Sequence, residues 1–261
     1  MINIIKFYLK KIIRYQIKKI SKLSKIFQDE IINLYEIKIN NIKIIFSPSN
    51  DITYRRWIKF EKDGKEKNTM DFINTFEEKD IFFDIGANVG VFSLYAALKK
   101  NVKVYAFEPE VTNFINLVKT INLNNADVIP ILIPLSDKNK AGYFNYKNTL
   151  EAGYSMHQFK IEAEKDKINY LTLSTSLNAL IEEKKLPFPN YIKLDVDGIE
   201  LDILYGMEEI LKNDSLKAII VELNNKNEEK IVNEYLNKFD LKFQQGPTGF
   251  NRNFVYSKNE K

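Results

Sequence analysis

The residues best suited to chemistry lie early in the chain, where an apolar run ends at Asp84 and glycines follow at Gly86 and Gly90. A second apolar run then ends at Glu108. Glycines let the backbone turn sharply against a ligand, and the next helix offers its N-terminus. A carboxylate about twenty residues further on, at the end of the next strand, is where a ribose diol is held. The spacing predicts a site for a nucleoside-containing ligand.

The glycines and the acid of this turn discriminate between cofactors. A dinucleotide fingerprint reads G-x-G-x-x-G, but no glycine lies between Gly86 and Gly90. We expect Asp84 at the mouth of the turn, where an acid disfavours a pyrophosphate and suits the amine and sulfonium of S-adenosylmethionine. The alternative is an ordinary strand–turn–helix in which Asp84 caps the helix. An NAD(P)-dependent oxidoreductase is a second functional interpretation, which the missing glycine disfavours.

Composition excludes several kinds of site. The chain has 261 residues, 44% of them hydrophobic, which is enough for one sizeable core. It has no cysteine and a single histidine, His157, so a disulfide framework, a thiolate metal site and a multi-histidine metal centre are excluded. No apolar run is long enough to predict a membrane-spanning helix. The interpretation is a cytoplasmic protein.

Positive charge is concentrated in residues 1–27, which carry eight Lys and Arg side chains and no acid. Removing these eight from the 39 basic residues leaves 31 against 35 acidic ones, so the body does not resemble a nucleic-acid surface. Apolar residues recur in this segment at three- and four-residue steps, which predicts a basic amphipathic helical arm over 1–30. Two interpretations remain open. The arm binds an anionic inner membrane surface or a partner protein, or it packs on its own domain. A non-catalytic membrane-associated scaffold is therefore a third functional interpretation.

Two further parts follow the arm. Residues 31–78 are expected to form a β-hairpin about Asn40 and Asn41 and two short helical segments near 52–60 and 67–78. Residues 79–261 alternate strands with helices, which predicts an α/β domain with a mostly parallel sheet and helices on both faces. The predicted strands are 81–85, 102–107, 127–133, 190–194, 218–223, 240–245 and 253–257, of which the last two form an antiparallel hairpin. The predicted helices are 90–99, 111–121, 175–184, 199–212 and 227–238. No pattern could be interpreted over 138–170.

Ligands of such sheets bind beyond the carboxyl ends of the strands. Polar residues follow an apolar run at Asp84, at Glu108, at Ser136 and Asp137, from Asp195 to Glu200, and at Glu222.

The chain resembles the FkbM-type family of S-adenosylmethionine-dependent methyltransferases. The matching segments are Phe83-Asp84-Ile85-Gly86-Ala87-Asn88-Val89-Gly90, Ala106-Phe107-Glu108-Pro109, Leu135-Ser136-Asp137 and, most specifically, Ile192-Lys193-Leu194-Asp195-Val196-Asp197-Gly198-Ile199-Glu200. The resemblance covers about 80–258. It implies the seven-stranded class I methyltransferase (Rossmann-like) fold and O-methylation of hydroxyls on sugars and polyketide-type natural products. Two positions depart from the family pattern, Asp197 where the family has Glu and Asn178 where it has Asp.

Site roles follow from these segments. For the cofactor, Asp84 and Gly86 are expected at the methionine portion, Glu108 at the ribose, and Ser136 and Asp137 at the adenine. Ala87, Asn88 and Gly90 complete the cofactor-binding turn. A turn after Pro134 is the alternative for the Ser136-Asp137 pair.

For catalysis, we expect Asp195 or Asp197 to be the base or a metal ligand, with Glu200 orienting the substrate or anchoring the turn. By strand alternation Lys193 shares a face with Asp195 and holds its charge. His157, in a polar stretch between strands, is a further candidate base. The alternative is that Asp195 and Glu200 only cap and staple the following helix. No bound metal is predicted, although Asp195, Asp197 and Glu222 offer oxygen ligands.

Overall fold

The computed structural model describes residues 34–62, 67–146, 152–153, 158–165, 168–183, 185–196, 198–247 and 252–258. The predicted arm over 1–30 and two of the predicted site residues, His157 and Asp197, lie outside these ranges. No helix in the described ranges is both long and apolar enough to cross a bilayer.

The predicted hairpin is confirmed as strands β1 (Tyr35–Ile39) and β2 (Ile42–Phe46), which pair antiparallel. Asn40 and Asn41 form the turn with φ angles of 48° and 68°, which asparagine tolerates better than most residues. Two helices follow, α1 (Asp51–Lys62) and α2 (Lys67–Asn74). The second ends four residues before the predicted boundary.

The remaining strands in chain order are β3 (Ile81–Ile85), β4 (Lys103–Phe107), β5 (Val128–Ile131), β6 (Lys140–Asn145), β7 (Gln158–Lys160), β8 (Asn169–Ser174), β9 (Tyr191–Leu194), β10 (Ala218–Glu222), β11 (Leu241–Gln245) and β12 (Asn253–Lys258). Seven of them form one sheet in the order β11-β12-β10-β9-β3-β4-β5. Strand β12 runs antiparallel to both of its neighbours and the other pairings are parallel. The mostly parallel seven-stranded sheet with a C-terminal hairpin is therefore confirmed.

The remaining helices are α3 (Val91–Lys100), α4 (Val111–Asn124), α5 (Leu177–Glu182), α6 (Glu200–Tyr205), α7 (Glu208–Lys212) and α8 (Lys226–Asn237). The single helix predicted over 199–212 is wrong, because the chain breaks at Gly206 between α6 and α7. A Cβ at Gly206 would lie 2.2 Å from the carbonyl oxygen of Ser136, so the backbone passes directly against that loop. The carbonyl of Gly206 accepts instead from the amide of Asn178 at 2.9 Å.

A second sheet has the order β7-β6-β8 and is antiparallel. Most of it lies within residues 138–170, over which no pattern could be interpreted. In β8 the residues Leu171 and Leu173 alternate as a strand requires, but they are 68% and 67% exposed. Because these two leucines face outward, burial in β8 does not follow hydrophobicity in the usual way.

Two buried clusters flank the large sheet. One joins the hairpin and α1 to the sheet through Phe46, Trp57, Phe82 and Tyr95. The other packs α6, α7 and α8 on the opposite face. Because β3, β4 and β9 are parallel neighbours, the segments that follow them meet at one edge, and that edge carries Glu108 and Asp195.

Candidate active site

The turn after β3 is fixed between two neighbouring strands. Gly86 and Gly90 have φ angles of 82° and 91°, a region that favours glycine. The amides of Gly86 and Ala87 both donate to the carbonyl of Phe107 at 3.0 Å. A Cβ at Gly86 would lie 1.8 Å from the carbonyl oxygen of Asp195. The turn therefore fits only with glycine at this position, and it brings the cofactor-binding segment into contact with the segment after β9.

The expectation that Asp84 lies at the mouth of the turn is corrected by the structure. The side chain is 0% exposed within β3 and pairs in register with Lys193 of β9. Its Oδ2 accepts from the hydroxyl of Ser93 at 2.6 Å, and its Oδ1 lies 3.6 Å from the ammonium of Lys193. Burial raises the pKa of Asp84, which the Lys193 charge and the Ser93 hydrogen bond oppose. The pleat of β3 directs the carboxylate beneath the turn and away from its surface. Its cofactor-binding role remains a prediction.

Glu108 follows β4 and lies directly beside the turn. One carboxylate oxygen accepts from the amide of Asn88 at 2.7 Å and the other from the amide of Glu110 at 2.9 Å. The residue is 5% exposed, and burial raises its pKa to about 7 against the pull of these two amides. A buried acceptor at this position is suited to the hydroxyls of a ribose.

A small apolar cavity of about 40 Å³ is lined by the residues on either side of Glu108 in sequence, Phe107 and Pro109. Its walls include Gly86, Phe107, Pro109, Pro134 and Leu135. The glycine cradle, the apolar walls and the buried Glu108 acceptor together suit the chemistry of an adenosyl group, which combines a flat ring with hydroxyl donors. The residues present therefore fit the predicted cofactor.

Ser136 and Asp137 follow the cavity wall along the chain. The Ser136 hydroxyl donates to Asp137 at 2.9 Å, and the Asp137 carboxylate is paired with Lys140. Burial would raise the pKa of Asp137, but the hydrogen bonds from Lys140 and Ser136 hold it below its usual value. These contacts are those of a structured turn, and the adenine role of the pair remains a prediction.

Asp195 and Lys193 are brought together as strand alternation predicts. The Lys193 ammonium lies 2.9 Å from Oδ2 of Asp195 and is 3% exposed, whereas the Asp195 side chain is 34% exposed. Burial alone would raise the pKa of Asp195, but the charge of Lys193 and a hydrogen bond with Glu222 lower it overall. Because this hydrogen bond lowers the pKa of Asp195, Glu222 is its donor and the ionised Asp195 its acceptor. The result is an accessible, ionised oxygen at the edge of the sheet, beside Gly86.

Glu200 lies at the turn that one of its two expected roles would anchor, and its role remains a prediction. It is 4% exposed, and its Oε1 accepts from the amides of Val196 and Gly198 at 3.3 and 3.1 Å. Burial raises its pKa. These contacts close the turn between β9 and α6, and they hold Asp195 in place through the backbone.

Sequence reasoning did not identify Arg56 and Glu110. The charge of Arg56, in α1, contributes to the lowered pKa of Asp195, after Lys193 and Glu222. Glu110 is 1% exposed and caps α4 by accepting from the amides of Thr112 and Asn113 at 2.9 and 2.6 Å. It also accepts from the Tyr146 hydroxyl at 2.9 Å. Arg56 lies outside every recognised segment. Glu110 carried one available signal, its place just before a helical pattern.

Among the described residues, no three potential metal ligands of the His, Cys, Asp and Glu types are grouped. The alternative ligand set included Asp197, which lies outside the described ranges.

The sheet and its turn define an α/β methyltransferase-like fold. The crystal structure of methyltransferase FkbM from Methylobacillus flagellatus KT is similar, with a TM-score of 0.51 and 14% sequence identity. The match covers 70% of this chain and 44% of that one, so the chain spans less than half of the solved protein.

Residues 84–245 match the model of the methyltransferase FkbM domain, and the chain belongs to this family. S-adenosylmethionine is accordingly the methyl donor. The hexuronic acid methyltransferase AglP of Haloferax volcanii is 29% identical over 185 residues, covering 70% of this chain and 72% of that protein. Methyltransferase 1 of Beauveria bassiana is 23% identical over 168 residues, covering 57% and 66% of the two chains. Family membership favours the methyltransferase over the oxidoreductase and the scaffold.

Proposed function

We propose that the protein transfers the methyl group of S-adenosylmethionine to a hydroxyl oxygen of a sugar, a glycan precursor or a similar small molecule. The observation that carries this proposal is the contact between the donor-binding turn and the base. The ionised Asp195, held by Lys193, follows β9 where its backbone touches Gly86. A hydroxyl hydrogen-bonded to Asp195 would therefore lie at the edge of the donor site.

Methyl transfer is an in-line displacement, so positioning accounts for much of its catalysis. When bound, S-adenosylmethionine supplies an electrophilic methyl group. Asp195 accepts a hydrogen bond from the acceptor hydroxyl and so directs a lone pair of that oxygen. Because the pKa of Asp195 is lowered, the carboxylate is a weak base. It takes the proton late, when the bond from oxygen to carbon is forming and the hydroxyl becomes strongly acidic.

The remaining groups position this base. Lys193 fixes one oxygen of Asp195 by an ion pair of 2.9 Å. Glu200 fixes the turn that follows by accepting two backbone amides. Both are positioning residues, since neither is required to touch the acceptor.

A sugar acceptor is supported by the relative named for hexuronic acid methylation, of which this chain covers 72%. The direction of transfer toward oxygen is supported by the carboxylate beside the donor site, because a hydroxyl must lose its proton as it is methylated.

The test is a transfer assay with tritiated donor across sugar nucleotides and capsule or lipopolysaccharide precursors, followed by NMR of the product. A methyl ether on a sugar ring is the expected product. Methylation confined to nitrogen, or to non-sugar acceptors, would contradict the proposal. Calorimetry with S-adenosylmethionine and with NAD(P) provides an independent check of the cofactor.

A peripheral contact of the basic arm with an anionic membrane or a partner protein is a separate and weaker proposal, supported by the charge of residues 1–27. Co-sedimentation with anionic and neutral vesicles tests it. The full chain is expected to pellet with the anionic vesicles and a chain lacking 1–27 to stay in solution. Equal sedimentation of the two chains would contradict a membrane role.

A further inference from the structure

Helix α1 connects the N-terminal part of the chain to the active site through a row of contacts. The Phe60 ring packs edge-on against the Phe92 ring of α3 at 5.3 Å between centroids. The Lys193 ammonium lies over the same Phe92 ring, 5.2 Å from its centroid. Arg56 is four residues before Phe60 and so lies on the same face of α1. The helix therefore presents Arg56 on the side where Lys193 and Asp195 meet.

The Arg56 side chain is held by one edge of its guanidinium group. Its Nε donates to the carbonyl of Gly153. The short segment that contains Gly153 is fixed from both sides. Asn50 donates to the carbonyl of Ala152 at 3.0 Å, and the Gly153 amide donates to Asn113 at 2.5 Å. The orientation of the guanidinium plane is thereby set before any ligand binds.

The two terminal nitrogens of Arg56 donate no hydrogen bond to a residue in the described ranges. The side chain is partly exposed. Lys193 differs, because it is 3% exposed and paired with Asp84 and Asp195. Arg56 thus brings to the acceptor side a cation held at Nε, whose terminal nitrogens donate to no residue that the structure describes.

A planar guanidinium with two parallel donors matches the two oxygens of a carboxylate. We propose that Arg56 binds the carboxylate of an acidic sugar acceptor and so selects uronates over neutral sugars. This inference rests on the proposed function. A uronate carries a carboxylate and hydroxyls on one ring, so one end can be held by Arg56 while a hydroxyl meets Asp195.

A sugar phosphate offers similar oxygens but carries more negative charge. Asp195 and Glu222 already place carboxyl groups at this edge, and the charge of Arg56 acts on Asp195. A monoanionic carboxylate adds less repulsion here than a dianionic phosphate. We therefore favour the carboxylate, and the phosphate is an outcome that the experiment separates.

The test is equilibrium binding to protein loaded with S-adenosylhomocysteine, measured by calorimetry or ligand-observed NMR. The ligands are methyl glycosides of glucuronate, galacturonate and mannuronate, each with its neutral hexose counterpart and the hexose 6-phosphate. The native protein is expected to bind at least one uronate more tightly than its neutral counterpart. In Arg56→Gln this preference falls by roughly ten- to hundredfold, the range for a charged hydrogen bond, while binding of the neutral sugar is unchanged. Arg56→Lys keeps the charge but loses the fork and is expected to retain part of the preference.

The matched control is Arg55→Gln, which removes the same charge from the adjacent, exposed position of α1. It is expected to leave the preference intact. Affinity for S-adenosylhomocysteine and the melting temperature report whether Arg56→Gln disturbs the Gly153 segment. Equal binding of uronates and neutral sugars by the native protein, a preference for phosphates, or an unchanged preference in Arg56→Gln would overturn the assignment.

The two proposals fail separately. Methylation of neutral sugars alone would preserve the proposed function and refute the role of Arg56. Uronate binding that depends on Arg56, with no methylation of any sugar, would preserve the role of Arg56 and refute the proposed function.

Discussion

The ammonium of Lys193 lies 2.9 Å from the carboxylate of Asp195, although one residue is 3% exposed and the side chain of the other 34%. The same ammonium is 3.6 Å from the fully buried Asp84. Oδ1 of Asp84 has no hydrogen-bond partner among the described residues, so Lys193 is its nearest compensation. The buried ammonium of Lys193 therefore compensates the charge of two carboxylates, that of Asp84 beneath the donor-binding turn and that of Asp195 at the acceptor side.

Replacing Lys193 by Met tests this shared charge. The substitution leaves Asp84 buried without its cation, and breaking a buried pair costs about 3 to 5 kcal/mol of unfolding free energy. The folded-state pKa of Asp84, already raised by burial, rises further. Above the usual pKa of an aspartate, the folded variant then binds more protons than its unfolded chain. The unfolding free energy lost in the variant therefore grows as pH rises. Urea denaturation at pH 5 and pH 8 measures both effects.

Lys217→Met is the matched control. Lys217 pairs with Glu77 and Asp80 but is 39% exposed. Its removal is expected to cost less than about 1 kcal/mol. Similar losses for the two variants would contradict the shared role of Lys193.

The base is tested by Asp195→Asn. The amide keeps the volume but cannot accept the hydroxyl proton, and loss of a general base lowers turnover by roughly 10²- to 10⁴-fold. Affinity for S-adenosylmethionine is expected to stay unchanged, since Gly86 approaches the backbone of Asp195 and not its side chain. Single-turnover kinetics and calorimetry separate the two quantities. The control is Asp202→Asn, on the exposed side of α6. Comparable activity of the two variants would contradict the role of Asp195 as the base.

The contact between the turn and β9 predicts the effect of Gly86→Ala. The added Cβ would lie 1.8 Å from the Asp195 carbonyl, and φ is +82°, so the backbone of either segment must move. We expect a loss of about 2 kcal/mol or more and no detectable transfer. Gly246→Ala is the control, because its nearest atom would be a Phe243 ring carbon at 3.4 Å. Chemical denaturation and the transfer assay measure the outcome, and a stable, active Gly86→Ala protein would disprove the contact.

The parts of the fold and site that depend on local pattern were predictable from the sequence. Alternating apolar runs and helical patterns gave the large sheet. Strand alternation gave the pairing of Lys193 with Asp195. Glu108 and Asp195, which follow the two parallel strands on either side of β3, were correctly expected at one edge, whereas Asp84 is buried within β3.

The parts that depend on distant contacts were not predictable. The break at Gly206 follows from the close approach of Ser136, which is distant in sequence. The burial of Asp84 follows from the pleat relative to β9 and its lysine. Arg56 reaches the site because α1 packs on α3 through Phe60, and no short motif encodes that packing.

Glu108 predicts a pH dependence of cofactor binding. Burial raises its pKa to about 7. An ionised carboxylate accepts ribose hydroxyls more strongly than a neutral one, so affinity for S-adenosylhomocysteine is expected to rise by up to about tenfold from pH 6 to pH 8. Binding near pH 7 then releases protons, which calorimetry in buffers of different ionisation enthalpy detects.

The same carboxyl group affects the free protein in the opposite direction. Between 4.5, the usual pKa, and about 7, the folded protein holds a proton that the unfolded chain has lost. The contribution of Glu108 to unfolding free energy is therefore complete below pH 4.5 and disappears as pH rises through 7. Glu108→Gln is expected to weaken binding and to flatten both profiles, and any slope left in binding belongs to the amine of the ligand. An unchanged binding profile in Glu108→Gln would exclude the carboxyl group as the titrating acceptor.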